Sequence, residues 1–314
     1  MMGEMLEFPA NENRLLYLGK KSSEQGDDLK AIQYFNDSYE TSQSLEVNYL
    51  LVKALINVGR LETAYIYMKE YEDDYREQSE LQPLYFDILL KRKQFLVLEK
   101  WLLTFDRASH LSEEFKQTLN QTQKYWTLVD KTDYTNRLLR IKSIEKVSFI
   151  KQKALLQEMN YLTKLDFFKL SSEIFLISKN ISPLIRSQII DELVQLKYEG
   201  TVSILDVFGQ LHHHAKLNEM NRLMPSVKNN SLYKDLSEYM ENNQPSQETL
   251  VLNIVKTHLG MMYPYIDDIV TDVKSWNKAY LTYFGFDIID NQEVNKINQQ
   301  IQLLDRIMMN TMTK

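Results

Sequence analysis

The sequence predicts an all-α protein, and three observations support that prediction. Gly and Pro number only 8 and 6 among 314 residues, whereas Leu, Lys, Glu, Gln and Ile are abundant, a composition typical of helical proteins. The stretch from Glu12 to about Ser112 contains three consecutive copies of one helix–turn–helix unit. Beyond it a helical pattern of apolar residues continues, interrupted by one segment with strand character. We therefore predict a domain of helix pairs over residues 1–130 and a helical domain with one small β-hairpin over residues 131–314.

The three copies occupy residues 12–44, 45–78 and 79–112. They repeat every 33 to 34 residues, and the turn glycines Gly26 and Gly59 and the small residues Ala31 and Ala64 recur in phase. The third copy has lost both the Gly and the Ala, so it is either a splayed last unit or a false copy. A plain antiparallel helix bundle with chance spacing is the alternative to the repeat. The matched positions are Leu15, Leu18, Gly19, Ser22, Gly26, Ala31, Phe35 and Ser38; then Asn48, Leu51, Val52, Leu55, Gly59, Ala64, Met68 and Tyr71; then Gln82, Tyr85, Phe86, Leu89, Lys93, Leu98, Leu102 and Phe105.

This period and pattern resemble the tetratricopeptide repeat. The resemblance implies a right-handed helical solenoid in which the first helix of each pair lines a concave face. Over most of the chain, the order of parts also resembles a family of cytoplasmic tetratricopeptide-like proteins from low-GC Gram-positive bacteria. That family has no assigned activity, so the resemblance supports the architecture and adds little about function. The residues that carry it, after the repeats, are Ser182, Pro183, Leu184, Ile185, Arg186, Ser187, Tyr263 and Pro264.

The segment "EGTVSILDVFGQLHHHAKL" predicts a β-hairpin at about 201–215, because β-branched and aromatic residues flank a central Gly209-Gln210 pair. A two-residue turn there sets Phe208 opposite Leu211, Asp206 opposite His213, and Ile204 opposite Ala215. A lone hairpin is marginally stable in water. It must therefore pack on helices, join a third strand, or receive one from a partner.

The rest of the chain is predicted to be helical. The polar segment at 130–146 is a connector or a short helix, and it is the candidate domain boundary. The helix at 265–284 has the clearest apolar stripe of the protein. Further helices are predicted at 112–127, 143–160, 162–179, 231–242, 247–262 and 291–310, and one begins at Ser182-Pro183.

Composition limits the compartment and the class of partner. Cys is absent, the start "MMGEMLEFPA" lacks the features of a signal peptide, and no stretch approaches the ~20 apolar residues of a membrane helix. We therefore expect a soluble cytoplasmic protein without membrane association. The net charge of −6 disfavours a general nucleic-acid surface, while leaving room for a local basic patch. The sequence sets no oligomeric state.

The resemblance to tetratricopeptide proteins also marks residues that point into a peptide-binding groove. Lys20 and Lys53 occupy equivalent positions, and Asn57 lies one turn from Lys53, which resembles a weak carboxylate clamp for a peptide C-terminus. Asp87 stands where a third cation could lie, which argues against a purely anionic ligand. The alternative is that these are ordinary solvated helix residues. The candidates, termed the groove face below, are Asn13, Lys20, Tyr49, Lys53, Asn57, Asp87 and Lys91.

Candidate chemistry elsewhere is weaker. His212 and His214 lie on one face of the predicted strand, and His258 or a carboxylate would complete a zinc or nickel site. The alternative is a half-exposed strand in which the histidines have no special role. Asp268 and Asp272 lie four apart on one predicted helix face, where solvated residues are more common than a catalytic pair. We therefore favour a non-enzymatic, cofactor-free adaptor that binds a protein or peptide, with a metal-dependent enzyme or sensor as the alternative.

Overall fold

The computed structural model describes residues 12–105, 110–287 and 291–312. Within these ranges the chain forms eighteen α-helices and one two-stranded antiparallel sheet, which confirms a mostly helical fold with a small hairpin. The described ranges leave out the first residues, for which we predict no signal peptide. They also leave out residues 106–109, near the end of the third predicted copy. The chain divides into two compact units, Met1–Thr122 and Gln123–Lys314.

The first unit consists of helices that pack on their neighbours in sequence. Helix α1 packs on α2, α2 on α3 and α3 on α4, and α1 also contacts α3. The pairs α1–α2, α3–α4 and α6–α7 correspond to the three predicted copies, whereas α5 is a short helix that the sequence pattern did not indicate. The bounds are α1 Glu12–Glu24, α2 Asp28–Thr41, α3 Leu45–Asn57, α4 Leu61–Glu70, α5 Glu72–Glu77, α6 Gln82–Lys91, α7 Phe95–Leu102 and α8 His110–Leu128, which ends in the second unit.

The turn within each helix pair has the same geometry in all three copies. Gly26, Gly59 and Lys93 have φ of 77°, 77° and 58°, the left-handed conformation that ends helices. In each turn the next residue donates its backbone N–H to a carbonyl five residues earlier, at 2.9, 2.8 and 2.9 Å. The third copy therefore keeps the turn although it has lost the glycine.

Small residues permit close contact between the helices of the first unit. Ala31 and Ala64 are fully buried, and so is Leu98 at the matching position of the third copy. Gly19 lies against the ring of Phe35, and a Cβ atom added at Gly19 would lie 2.4 Å from that ring. These matched positions thus face the core, where packing is sensitive to added volume.

Helix α15 lies at the centre of the second unit. It packs against α12, α13, α14, α16 and α18, and its Val255 and Leu259 are completely buried. The bounds are α9 Lys131–Lys142, α10 Phe149–Glu158, α11 Lys164–Leu170, α12 Pro183–Gln195, β1 Thr201–Leu205, β2 Leu211–Lys216, α13 Leu223–Asn229, α14 Ser231–Asn243, α15 Glu248–Met262, α16 Ile266–Ile269, α17 Val273–Tyr283 and α18 Gln292–Met312.

The prediction of a single helix at 265–284 is wrong, because the helix is interrupted between α16 and α17. Asp272 caps α17: its side chain accepts hydrogen bonds from the backbone N–H groups of Lys274 and Ser275. Such a cap competes with helix continuation. Asp268 and Asp272 therefore do not lie on one helix face. The polar segment at 130–146 is helix α9 followed by the short 3₁₀ turn Ser143–Lys146.

The hairpin lies where the sequence predicts it, but its register differs. Leu205 pairs with Leu211 and Ile204 with His212, so the two-residue turn and all three predicted pairs are wrong. The carboxylate of Asp206 accepts backbone N–H bonds from Phe208 and Gln210 at 2.9 and 2.8 Å, and it thereby organises a longer loop.

The two strands also contain a bulge, and the hairpin is tied to a helix. The register shifts between Val202 and Ile204, and His214 takes a left-handed φ of 59° there. The guanidinium of Arg186 on α12 donates a 3.0 Å hydrogen bond to the carbonyl of Leu205. Of the three ways to stabilise a lone hairpin, packing on helices is the one observed in the described residues.

Candidate functional site

The groove face begins on two neighbouring helices of the first unit. Lys20 on α1 forms a 2.6 Å ion pair with Glu46 on α3, and their side chains are 43% and 61% exposed. The pair shows that the outward sides of α1 and α3 are adjacent. Asn13 is also exposed on α1. These positions can therefore contact one ligand together.

Three further groove-face residues, Asn57, Asp87 and Lys91, have hydrogen-bond or ion-pair partners within the chain. Asn57 donates a 3.0 Å hydrogen bond to the carboxylate of Asp28, at the start of α2. Lys91 forms a 2.6 Å ion pair with Asp87 one turn earlier on α6. The cation and the anion of the third copy therefore neutralise each other.

Lys53 differs from the other groove-face cations. Its side chain is exposed, and it has no ion pair or hydrogen bond to any residue that the structure describes. The half-buried Tyr49 lies four residues before it, on the same side of α3. An ammonium group and an aromatic ring are thus available side by side for a ligand.

The sequence analysis missed an exposed aromatic residue near this face. Tyr17 on α1 is 62% exposed, and it lies about one helical turn from both Asn13 and Lys20. The signal was available, since residues 13, 17 and 20 follow helical spacing. An exposed tyrosine offers apolar area and a polar tip, which is typical of interaction surfaces.

The predicted histidine site is not assembled in the described chain. His212 places its Nε2 atom 3.0 Å from the carboxylate of Asp206 and stacks on the Tyr265 ring at 3.8 Å. His214 is exposed in the bulge, whereas His258 is buried on α15. Among the described residues, no group of three His, Asp or Glu side chains is placed to hold a metal.

His258 has a separate environment. Its Nδ1 atom lies 3.1 Å from the hydroxyl of Tyr280, and its Nε2 atom is buried without a partner in the described structure. Burial lowers the pKa of His258 to about 4, although the negative charge of Asp305 opposes that shift. The imidazole is therefore neutral at physiological pH and acts as part of the core.

Two of the residues on which the family resemblance depends, Arg186 and Tyr263, hold loops in place. Arg186 is buried and donates hydrogen bonds to the carbonyls of Ser178, Ile181 and Leu205, and desolvation lowers its pKa to about 10. The hydroxyl of Tyr263 donates a 2.8 Å hydrogen bond to the carbonyl of Asn221. Both residues therefore join loops to helices.

No helix in the described ranges combines the length and the apolar character required to span a bilayer. Comparisons with protein-family models, with curated proteins and with solved structures find no match to this chain.

Proposed function

We propose that the protein is a non-enzymatic adaptor that holds a segment of a partner protein along the groove face of its first unit. The observation that carries the proposal is the Lys20–Glu46 ion pair, which puts the outward sides of α1 and α3 next to each other. The three equal turns add support, because equal turns favour a regular stack like that of the tetratricopeptide proteins. The proposal includes a cytoplasmic location, which rests on the family resemblance.

The charges of the groove face define the proposed ligand. Lys20 and Lys91 are paired with carboxylates, so a ligand carboxylate has Lys53 as its available partner. The exposed Lys20–Glu46 pair is worth at most about 1 kcal/mol, so a ligand can displace it at small cost. We propose a peptide whose carboxylate contacts Lys53 and whose apolar side chains contact Tyr49 and Tyr17.

A peptide display library with free C-termini tests the proposal. Selected peptides should bind the wild-type protein, and amidation of their C-termini should weaken them if the carboxylate contacts Lys53. Lys53→Glu should reduce affinity about tenfold, since it replaces an attraction by a repulsion. Lys30→Glu, at an exposed lysine on α2, is the matched control and should leave affinity unchanged.

Tyr49→Ala separates the apolar contact from the charge. It should weaken the selected peptides at every salt concentration, whereas the contribution of Lys53 should fade as salt rises. Lys53→Glu and Lys30→Glu should melt like the wild type, because their side chains are exposed, whereas Tyr49→Ala removes a half-buried ring and should lower stability modestly while the protein stays folded. If Lys53→Glu and Tyr49→Ala both bind the peptides at full strength, the binding surface is not the groove face.

The metal-dependent alternative is not proposed. His212 is engaged by Asp206 and Tyr265, and His258 by Tyr280, so the two histidines have different surroundings.

A further inference from the structure

A short segment of the second unit is strongly basic. Residues 131–153 contain seven Lys or Arg and two Asp or Glu, a net charge of +5, whereas the whole chain carries −6. The segment comprises α9, the 3₁₀ turn and α10. A local excess of this size creates a positive potential on an otherwise acidic protein.

The arginines of this segment are already engaged. Arg137 and Arg140 both pair with Glu158, at 3.5 and 2.7 Å, and the guanidinium of Arg137 lies 4.1 Å from the centre of the Tyr161 ring. The five lysines are different: all of them are exposed, and none has an ion pair or hydrogen bond within the described chain. Lys131 begins α9, and the other four, at the end of α9, in the 3₁₀ turn and on α10, are Lys142, Lys146, Lys151 and Lys153.

Two large aliphatic side chains are exposed among the lysines. Leu139 on α9 is 59% exposed and lies three residues before Lys142, and Ile150 on α10 is 66% exposed and lies three residues before Lys153. Three-residue spacing puts each pair on the same side of its helix. The opposite sides of the two helices face the core, as the burial of Ile141 on α9 and of Leu155 on α10 shows.

We propose that these residues form a second docking surface, which binds an acidic segment of a partner protein with aliphatic side chains between its carboxylates. The surface, named the α9–α10 basic face, consists of Leu139, Lys142, Lys146, Ile150, Lys151 and Lys153. Four ammonium groups complement the carboxylates, and the two aliphatic side chains complement apolar residues of the segment. The proposal is independent of the groove face, which lies in the other unit.

The chemistry of the face favours an acidic protein segment over other polyanions. Nucleic-acid bases stack on aromatic rings or on guanidinium planes, but the exposed apolar residues here are aliphatic and the two arginines are held by Glu158. Stable binding to a lipid surface needs a larger apolar stripe than two side chains on helices of 12 and 10 residues.

The test uses a fluorescent peptide that repeats Glu and Leu at helical spacing, and a second peptide in which Ser replaces every Leu. Changing all four lysines of the face to Glu should weaken the Glu/Leu peptide about tenfold or more. The matched control changes four exposed lysines of the same unit to Glu and should leave affinity nearly unchanged. Those lysines are Lys228, Lys234, Lys274 and Lys278.

The control matters because both variants alter the net charge equally. Equal weakening in the two variants would show a general charge effect and overturn the proposal. A variant with the four lysines changed to Gln, which avoids new repulsion, should also weaken binding and provides the test if the Glu variant fails to fold. The variant with the four lysines changed should still bind the peptides selected from the display library at full strength, because its changes lie in the other unit, so failure of this proposal and failure of the groove proposal are separable.

The contribution of the two aliphatic side chains is measured by comparing the two peptides. Leu139→Ser with Ile150→Ser should weaken the Glu/Leu peptide severalfold and leave the Glu/Ser peptide unchanged. Equal affinity of the wild-type protein for the two peptides would overturn the apolar part of the proposal. Tighter binding of a short oligouridylate, or of vesicles rich in phosphatidylserine, that is lost in the four-lysine variant would assign the face to a different class of partner.

Discussion

The free energy of unfolding should fall as pH decreases, and His258 should be responsible for a defined part of that loss. This side chain is completely buried on α15, with Tyr280 as the partner of its Nδ1 atom. Burial lowers its pKa from 6.5 to about 4, because a charged imidazole would lose its hydration in the core. The unfolded chain has no such penalty, so there His258 titrates near its ordinary pKa.

The magnitude follows from the difference between the two pKa values. Above pH 6.5 the imidazole is neutral in both states, and His258 adds no pH dependence. Between 6.5 and 4 the unfolded chain binds a proton that the folded protein does not, which favours unfolding. The loss is about 1.4 kcal/mol for each pH unit in this window, or about 3 kcal/mol in all. Below about pH 4 both states are protonated and the loss levels off.

Urea unfolding followed by circular dichroism, between about pH 7.5 and 4.5, measures this effect. His258→Met keeps an apolar side chain of similar size in the core and removes the titrating group. The contributions of other histidines and carboxylates are common to both proteins. The wild type should therefore lose about 2–3 kcal/mol more than the variant over this range. Parallel losses in the two proteins would refute a neutral, buried His258.

Three further predictions concern packing and backbone, and equilibrium unfolding in urea checks each. Gly19→Ala should destabilise by about 1–3 kcal/mol, since its Cβ would collide with the Phe35 ring, and an unchanged midpoint would contradict that close contact. Lys93→Gly should stabilise by up to about 1 kcal/mol, because its left-handed backbone is unfavourable for a side chain, whereas Lys93→Val should destabilise. Arg186→Met should cost about 3 kcal/mol, because buried carbonyls lose their donor; a variant as stable as the wild type would mean that water replaces the guanidinium.

The location of most helices could be predicted from apolar spacing, but the geometry of the third turn could not. Lys93 stands at the position of the turn glycine, and this lysine adopts the same left-handed conformation. That conformation costs a non-glycine residue about 1–2 kcal/mol. The hydrogen bond from Gln94 to Leu89 and the burial of Phe95 beyond the turn offset this cost. Tertiary packing therefore outweighs the preference for glycine at this turn position.

In the hairpin, two local signals predict different turns, and the structure follows Asp206 rather than Gly209. The position of Gly209 favoured a two-residue turn. Asp206 lies three residues earlier, and its carboxylate accepts two backbone N–H bonds that close a longer loop. An Asp that precedes a Gly in this way is a recognised turn signal.

The contacts of the groove-face side chains could not be predicted from local sequence patterns. Its positions could be chosen from the repeat phase, yet the ion pair between Lys20 and Glu46 joins residues 26 apart in sequence. Formal charge alone counts Lys20 and Lys53 as equal, whereas the structure gives only the former a carboxylate partner. A ligand carboxylate at Lys20 must displace Glu46, and at Lys53 it need not. For the peptide proposed to bind this face, selectivity should therefore depend less on total charge than on where its carboxylate lies relative to the apolar side chain proposed to contact Tyr49.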